Sequence, residues 1–354
     1  MEEKKDTLGM LDLVIRPGFC VKENQIIKVN QAAESLFITP GTDVRPLLLT
    51  GSEEYAAFTG GCLYLTLSLS SHSCGASVTR VDDIDVFLLE QESDNSELRS
   101  MALAARELRE PLTNVMITAD SLFPLCAAES SPRTAEQVAR LNRGLFQILR
   151  IIGNMSDAER CAAVSHQETV DIPALFAEFF EKAETLVSHT GITLTYEGPD
   201  QPIYGLADRE QLERAVLNIL SNAIKFTPKG GTVTAKLTRS GRMLRLSVTD
   251  SGSGIAQSVR SSVFSRYLRQ PALEDSRYGI GLGMVLIRTA AAHHGGAVLI
   301  DQPEGVGTRI TMTMSIRQSK QATLRSNVLR VDYAGERDHG LIELSECLPT
   351  ELYE

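Results

Sequence analysis

Two runs of apolar residues, spaced alternately three and four positions apart, constrain the fold of this chain most strongly. Such spacing places one apolar stripe along an α-helix, and other helices must cover that stripe. The first run comprises Leu98, Met101, Ala105, Leu108, Leu112, Val115, Ala119 and Leu122. The second comprises Val138, Leu141, Leu145, Ile148, Ile152 and Met155. Pro124 and Pro132 lie between the runs, which predicts two helices with a break over residues 123–133.

Two heptad helices joined by a loop form an antiparallel hairpin, which we place within residues 96–162. Because two helices alone bury little surface, we expect a second copy to complete a four-helix bundle, so that the chain is a homodimer. The alternative is a hairpin that packs against other parts of its own chain.

The segments on either side of the hairpin mix strands and helices, so the expected fold class is a multidomain α+β protein. Residues 8–90 form a small α/β unit with strands predicted at 11–15, 25–29, 62–69, 76–81 and 84–89, and helical turns within 30–37. Residues 168–316 form an α/β sandwich with helices on one face of a mixed sheet. Its helices are predicted at 172–187 and 209–226, and its strands at 192–196, 232–237, 243–249, 297–300 and 308–316.

Composition narrows the possible functions. The net charge of −10 disfavours non-specific nucleic-acid binding, which needs cations to neutralise phosphates. No apolar run approaches the ~20 residues that span a bilayer, and no apolar segment follows the charged N-terminus, so we expect neither a membrane span nor a signal peptide. The six cysteines are scattered, as is typical of reduced thiols in a cytoplasmic protein.

The C-terminal segment, residues 317–354, is acidic. Residues 332–354 hold seven acidic residues and one basic residue, Arg337. This charge predicts a solvated tail, which Leu341, Ile342, Leu344 and Leu348 could order in part.

Three polar residues share one face of the helix predicted over residues 209–226. Asn218, Asn222 and Lys225 lie at positions i, i+4 and i+7, which are neighbours on a helix surface. Two amide oxygens and an ammonium on one stripe suit a hard cation with phosphates attached.

Three glycine clusters follow in the same domain. The first follows Asp250, whose carboxylate can accept a hydrogen bond from an exocyclic amine while the glycines let the backbone approach a ligand. The second leads into an apolar helix, whose free N–H groups and dipole suit phosphate, and the third precedes Thr308. The glycines are Gly252 and Gly254, then Gly279, Gly281 and Gly283, then Gly305 and Gly307.

Each cluster alone has a plain structural interpretation, as a loop, a helix cap or a strand end. Together, in this order, they resemble the N, G1, G2 and G3 boxes of the GHKL (Bergerat) ATP-binding fold, shared by histidine kinases, gyrase, the Hsp90 chaperone and MutL. The resemblance implies Mg²⁺ on Asn222, phosphate contact from Lys225, and adenine recognition by Asp250 with help from Thr308.

Two details resemble the histidine kinase branch of that fold. Asn218 occupies the position where the ATP-hydrolysing branches carry a water-activating Glu. Residues 263–267 resemble the kinase F box, and three arginines populate the presumed lid. These are Arg266, Arg269 and Arg277.

The first heptad helix also resembles a histidine kinase element, with one substitution. Residues 105–112 read Ala-Arg-Glu-Leu-Arg-Glu-Pro-Leu, similar to the H box His-Glu-Leu-Arg-Thr-Pro-Leu, so Arg106 stands in place of the phosphoacceptor His. A guanidinium stays protonated and cannot attack a γ-phosphate. Glu107, at the position of the family's base, is retained, and Glu110 replaces the residue of the family's phosphatase motif.

The remaining resemblances are weaker. Residues 27–37 resemble part of a PAS sensor domain, and an unrelated α/β unit is the alternative. His293 and His294 come directly before Gly295 and Gly296, which favours a helix C-terminus over a metal site.

The sequence therefore predicts a sensor histidine kinase homologue of two-component signalling that binds Mg·ATP and does not autophosphorylate at the usual position. The partners implied are a second copy and, beyond it, a response regulator or another histidine kinase. Two alternatives stay open: a kinase that uses an acceptor elsewhere, and a non-enzymatic dimeric scaffold regulated by ATP.

Overall fold

The computed structural model describes residues 9, 11–69, 72–128, 132–163, 166–255, 263–264, 282–303, 307–317 and 337–353. The N-terminal unit contains β1 (Gly18–Lys22), β2 (Gln25–Val29), α1 (Gln31–Glu34), α2 (Ser52–Ala56), β3 (Cys62–Ser68), β4 (Ser73–Val81) and β5 (Ile84–Leu89). Helices α3 (Glu92–Ala128) and α4 (Pro132–Ala163) follow. The third unit contains β6 (Glu168–Asp171), α5 (Ile172–Val187), β7 (Thr193–Glu197), β8 (Tyr204–Ala207), α6 (Arg209–Phe226), β9 (Thr232–Ser240), β10 (Met243–Asp250), α7 (Leu282–His293), β11 (Val298–Asp301) and β12 (Arg309–Ser315). The last helix is α8 (His339–Glu343).

The N-terminal unit is an antiparallel sheet in the order β2-β1-β5-β4-β3. The side chain of Asn30 caps α1 and also accepts a hydrogen bond from the backbone of Gly18, so it fixes β1 against the helix. The strand predicted over residues 11–15 is wrong: a 3₁₀ helix, Leu11–Leu13, lies there and β1 comes later. Four of the five residues of β1 are buried, so the strand lacks the alternation that would have marked it in the sequence.

Helices α3 and α4 form the predicted hairpin, but the break between them is shorter than predicted. Helix α3 continues through Pro124 to Ala128. A proline removes a single backbone hydrogen bond, and the rest of a long, packed helix can hold its direction. Ala105, Leu112 and Ala119 are buried, whereas Leu108 of the same stripe is 51% exposed.

The third unit has a mixed sheet, in which β9 pairs in parallel with β7 and antiparallel with β10. Val233, Ala235 and Leu237 of β9 are buried and alternate with exposed residues, so one face of this sheet packs against the helices. The predicted α+β class is therefore confirmed. The two-stranded sheet of β6 and β8 was not predicted, because both strands have only four residues.

Strand β3 pairs antiparallel with β11, which joins the N-terminal unit to the third unit in one ten-stranded sheet. Cys62, Leu63, Tyr64 and Leu65 are all buried. The prediction of a half-buried strand is wrong for this reason, since the face expected to meet solvent contacts the third unit.

Residues 337–353 of the C-terminal segment are packed against the hairpin and the third unit. The prediction of a solvated tail is therefore wrong for these residues, whereas the expected ordering by Leu341, Ile342, Leu344 and Leu348 is confirmed. Ile342, Leu344 and Leu348 are buried, as is Tyr353, whose ring lies 5.2 Å from that of Phe146 in α4. Among the helices in the described part of the chain, none is both long enough and apolar enough to cross a membrane.

Candidate functional site

Helix α6 presents the three predicted polar residues beside the start of α7. The helix begins at a conventional cap, in which the side chain of Asp208 accepts a hydrogen bond from the backbone of Gln211. Asn218 is 1% exposed, and its amide nitrogen donates to the carbonyl of Arg214 at 2.9 Å. Its amide oxygen is buried and has no hydrogen-bond partner among the described residues. A buried acceptor without a hydrogen-bond partner destabilises the fold. A ligand that donates a hydrogen bond to this oxygen, or a metal ion that it coordinates, would remove that destabilisation.

Gly283 lies against this free oxygen. A Cβ atom at Gly283 would be 2.7 Å from Oδ1 of Asn218, so a larger residue would crowd the space beside it. Asn222 lies one turn further along α6, and its amide nitrogen is 3.8 Å from the sulfur of Met284. The structure therefore brings these two asparagines together with the first turn of α7. Gly279 and Gly281 lie outside the described residues.

Asp250 ends β10 and is 7% exposed. Its Oδ1 accepts hydrogen bonds from the backbone of Gly252 at 2.8 Å and of Thr308 at 3.2 Å. Burial raises the pKa of the carboxyl above its ordinary value, and the two backbone donors act in the opposite direction. No described residue donates to Oδ2, which leaves that oxygen for a ligand.

The glycines around Asp250 are required by close backbone approach. A Cβ atom at Gly252 would lie 2.4 Å from the carbonyl oxygen of Phe226, and one at Gly307 would lie 1.9 Å from that of Asp250. Gly254 and Gly307 also have φ values of +74° and +116°, which side-chain-bearing residues rarely adopt. Gly305 lies outside the described residues.

A shallow hollow lies beside Thr308, and the N-terminal unit forms part of its wall. The lining residues are Cys62, Ile255, Val263, Ile300, Asp301, Gln302 and Thr308. Burial raises the pKa of the Cys62 thiol to about 12, so this side chain is an apolar wall rather than a reactive group.

Lys225 already has an anionic neighbour. Its ammonium lies 2.9 Å from Oε2 of Glu346, which also lies 3.1 Å from Arg150 of α4. Burial raises the pKa of the Glu346 carboxyl, but the charge of Arg150 and the hydrogen bond from Lys225 outweigh it, and the net shift is downward. Sequence reasoning missed Glu346, because its position in an acidic segment gave no sign of a cationic partner.

Arg106 and Glu107 lie on α3 rather than on the elements that hold the other predicted site residues. Both are exposed, directly after the buried Ala105. The side chain at position 106 therefore faces away from the interior of the hairpin, as the heptad register predicts. Arg266, Arg269 and Arg277 of the presumed lid lie outside the described residues.

His294 has a structural role. Its Nε2 accepts a hydrogen bond from the backbone of Asp208, and its Nδ1 lies 2.7 Å from the carbonyl oxygen of Ala290. This pairing fixes a neutral ring that ties the end of α7 to the start of α6. Burial lowers the pKa of His294 and of His293.

Comparison with known proteins identifies the unit that holds this site. Residues 207–318 match the family described as histidine kinase-, DNA gyrase B-, and HSP90-like ATPases. The chain is 29% identical over 276 residues to an uncharacterised sensor-like histidine kinase of Rhizobium meliloti, which covers 73% of this chain and 52% of that protein. Residues 207–318 are therefore an ATPase domain of this family, and the chain as a whole is similar to sensor histidine kinases.

Further comparisons extend beyond the ATPase unit. The adaptive-response sensory kinase SasA of Crocosphaera subtropica is 26% identical over 246 residues, 66% of this chain and 64% of SasA. The crystal structure of full-length ShkA has a TM-score of 0.51 at 24% identity over 62% of this chain and 46% of ShkA, which shows a shared fold. The chain thus spans about half to two thirds of the length of these relatives.

Proposed function

We propose that the chain binds Mg·ATP between α6, the end of β10 and the start of α7. The observation that carries this proposal is the site around Asp250, a buried carboxylate with one oxygen held by two backbone donors and the other left for a ligand. A carboxylate is an acceptor only, so it selects a ligand that presents a donor such as the exocyclic amine of adenine. The crystal structure of the neighbour ShkA holds AMPPNP, an ATP analogue, which agrees with this assignment.

The residues of α6 fit the metal and phosphates. The unpaired amide oxygen of Asn218 lies beside Gly283, and Asn222 follows on the same face of the helix. Amide oxygens are suitable ligands for Mg²⁺ or for its bound waters, and we assign the metal to Asn222. Lys225 is the proposed phosphate contact, and Gly283 lies in the first turn of α7, where backbone N–H groups are free to bind phosphate. The resemblance adds Gly279 and Gly281, which lie outside the described residues, to the same phosphate-binding cluster.

In this proposal the chain does not phosphorylate itself at the position usual in histidine kinases. Arg106 occupies that position on the outside of α3, and a guanidinium cation cannot attack a γ-phosphate. Glu107 is in place beside it as the retained base position but has no imidazole to deprotonate.

Two exposed apolar rows support a homodimer through the hairpin. On α3, Leu108, Val115 and Leu122 are 51%, 52% and 51% exposed and are spaced seven residues apart. On α4, Leu141 and Ile148 are 63% and 47% exposed with the same spacing. Helix α4 also packs against its own chain, where Arg150 donates to Ser221 at 3.0 Å. A second copy would cover the rows that this packing leaves exposed.

The N-terminal unit is proposed as a PAS-like sensor. Its five antiparallel strands in the order β2-β1-β5-β4-β3, with two short helices between β2 and β3, support this proposal. The output would pass to a response regulator or to another histidine kinase. A scaffold that binds ATP without transferring phosphate is the second candidate function, which the residue at position 106 favours.

Calorimetric titration of the full chain with Mg·ATP tests the central proposal. We expect saturable binding, and we expect Asp250→Asn to weaken it at least tenfold, because the amide replaces an acceptor with a donor that faces the adenine amine. Asp301→Asn, in the wall of the hollow beside Thr308 but paired with Arg309, is the matched control. Absence of binding by the wild type at millimolar nucleotide would contradict the proposal.

A further inference from the structure

The C-terminal segment, residues 337–353, covers the same face of α6 that carries Asn218 and Lys225. Its anchor is Glu343, whose side chain is fully buried. The carboxylate lies 3.3 Å from Arg150 of α4 and 3.2 Å from Arg214 of α6, and it accepts from the amide nitrogen of Asn218 at 3.3 Å. A buried carboxylate with three donors is fixed in place, because each of its interactions would have to be replaced if it moved.

Helix α4 provides further contacts that recognise the backbone of this segment. Arg143 donates to the carbonyl of Ser345 at 2.8 Å and to that of Glu346 at 3.0 Å. Asn142 donates to the carbonyl of Tyr353 at 2.8 Å. The groove between α4 and α6 therefore binds residues 337–353 as a peptide. Arginines pair with its carboxylates, polar side chains donate to its backbone carbonyls, and its apolar side chains are buried.

The contact between Glu346 and Lys225 gives this docking a consequence for nucleotide binding. Lys225 is 13% exposed in its side chain, and Glu346 provides its carboxylate partner. A phosphate oxygen is likewise an anionic acceptor of an ammonium hydrogen bond. A phosphate group that binds Lys225 must displace the Glu346 carboxylate. If the carboxylate stayed beside Lys225, its negative charge would repel the phosphate.

We propose that residues 337–353 are an intramolecular competitor of the nucleotide, which holds Lys225 through Glu346 in the absence of ATP and is released from Lys225 when ATP binds. This inference rests on the proposed ATP site. By linkage, the two events oppose each other equally: docking of the segment weakens ATP binding, and ATP weakens docking of the segment. Any partner that draws residues 337–353 away from α4 would raise the affinity for ATP.

The test compares four full-length or near-full-length proteins: the wild type, Glu346→Gln, Glu351→Gln and a chain that ends at residue 336. Glu346→Gln removes the charge beside Lys225 and keeps the buried contacts of Ile342, Leu344 and Leu348, so it should fold even if the shortened chain does not. Glu351→Gln removes the same charge from an exposed position of the same segment and is the matched control.

Two readouts separate failure of this inference from failure of the ATP site. The first is the Kd for Mg·ATP, which we expect to fall about threefold in Glu346→Gln, the size of a partly exposed ion pair, and further in the shortened chain. The second is the acetylation rate of Lys225, measured by mass spectrometry against exposed Lys229, which we expect to rise in both variants without nucleotide. Glu351→Gln should match the wild type in both readouts.

Hydrogen exchange supplies the reciprocal measurement. Saturating Mg·ATP should increase deuterium uptake in residues 341–348 of the wild type. If Lys225 acetylation and the Kd are the same in the wild type, Glu346→Gln and the shortened chain, the competition is overturned while the ATP site stands. If none of the proteins binds ATP, the proposed function and the competition fall together, whatever the acetylation rates.

Discussion

Nη1 of Arg288 in α7 lies 2.5 Å from Oε1 of Glu90, the residue that follows β5, so an ion pair joins the ATPase unit to the N-terminal unit next to the start of α3. The guanidinium also lies over the ring of Tyr64, 4.9 Å from its centroid, and donates to the carbonyl of Phe264 at 3.1 Å. One buried arginine thus contacts the N-terminal unit through Glu90 and Tyr64, and Phe264 of the third unit, at the point where β3 and β11 pair.

We expect Arg288→Met to lower the free energy of unfolding by roughly 3 kcal/mol, because it removes the cationic partner of the partly buried Glu90 carboxylate. Hydrogen exchange should show loss of amide protection at residues 62–64 and 298–300, where the two sheets join. Arg245→Met, at an exposed position of β10, is the control and should change neither quantity. Unchanged protection at the β3–β11 pair in the Arg288 variant would show that the ion pair does not hold the units together.

The hairpin should dimerise through the exposed rows. Leu108→Glu would place a charge in the proposed interface, and we expect light scattering to show a monomer or a dimer weakened by at least tenfold. Leu103→Glu changes an apolar residue of similar exposure, 62%, on another face of α3 and should remain dimeric. A monomeric wild type, or a Leu108 variant that dimerises as well as the wild type, would contradict this prediction.

The substitution at position 106 can be tested by reversal. We expect Arg106→His to incorporate acid-labile phosphate from ATP, because the position is exposed and Glu107 is retained beside it. Arg99→His, another exposed arginine of α3, should remain unlabelled. An unlabelled Arg106→His protein with weakened partner binding would favour a role for Arg106 as a permanent cation. Strong acid-labile phosphorylation of the wild type would mean that the chain carries another acceptor.

His294 should make stability depend on pH. Burial lowers its pKa in the folded chain, whereas the unfolded imidazole titrates near its ordinary value of about 6.5. The unfolded state therefore binds more protons below that pH, so the free energy of unfolding should fall as the pH decreases from 7.5 to 5.5. His294→Gln should be less stable at pH 7.5 and lose less over this interval, as measured by urea denaturation. His189→Gln, at an exposed position, should follow the wild type. An equal loss in the His294 variant would assign the pH dependence to other groups.

Much of the candidate site could be predicted from the sequence, because its residues lie on local elements with recognisable periods. The helix predicted over residues 209–226 has those bounds in α6, which places Asn218, Asn222 and Lys225 on one face by helical geometry alone. The glycines at 252 and 307 similarly reflect a local need for close backbone approach. Each of these features depends on a few neighbouring residues, so it can be recognised from the sequence alone.

The sequence by itself determined most of the helices and strands, the heptad stripes and which residues form the candidate site, whereas the tertiary structure decided which distant segments pack against them. The acidic sequence around Glu343 predicts a side chain exposed to solvent. Only the fold brings Glu343 to Arg214, 129 positions earlier in the chain. The sequence of neither β3 nor β11 indicates that these two strands pair. Periodicity records which side of an element is apolar. It does not record which distant segment supplies the partner, because that choice depends on the packing of the whole chain.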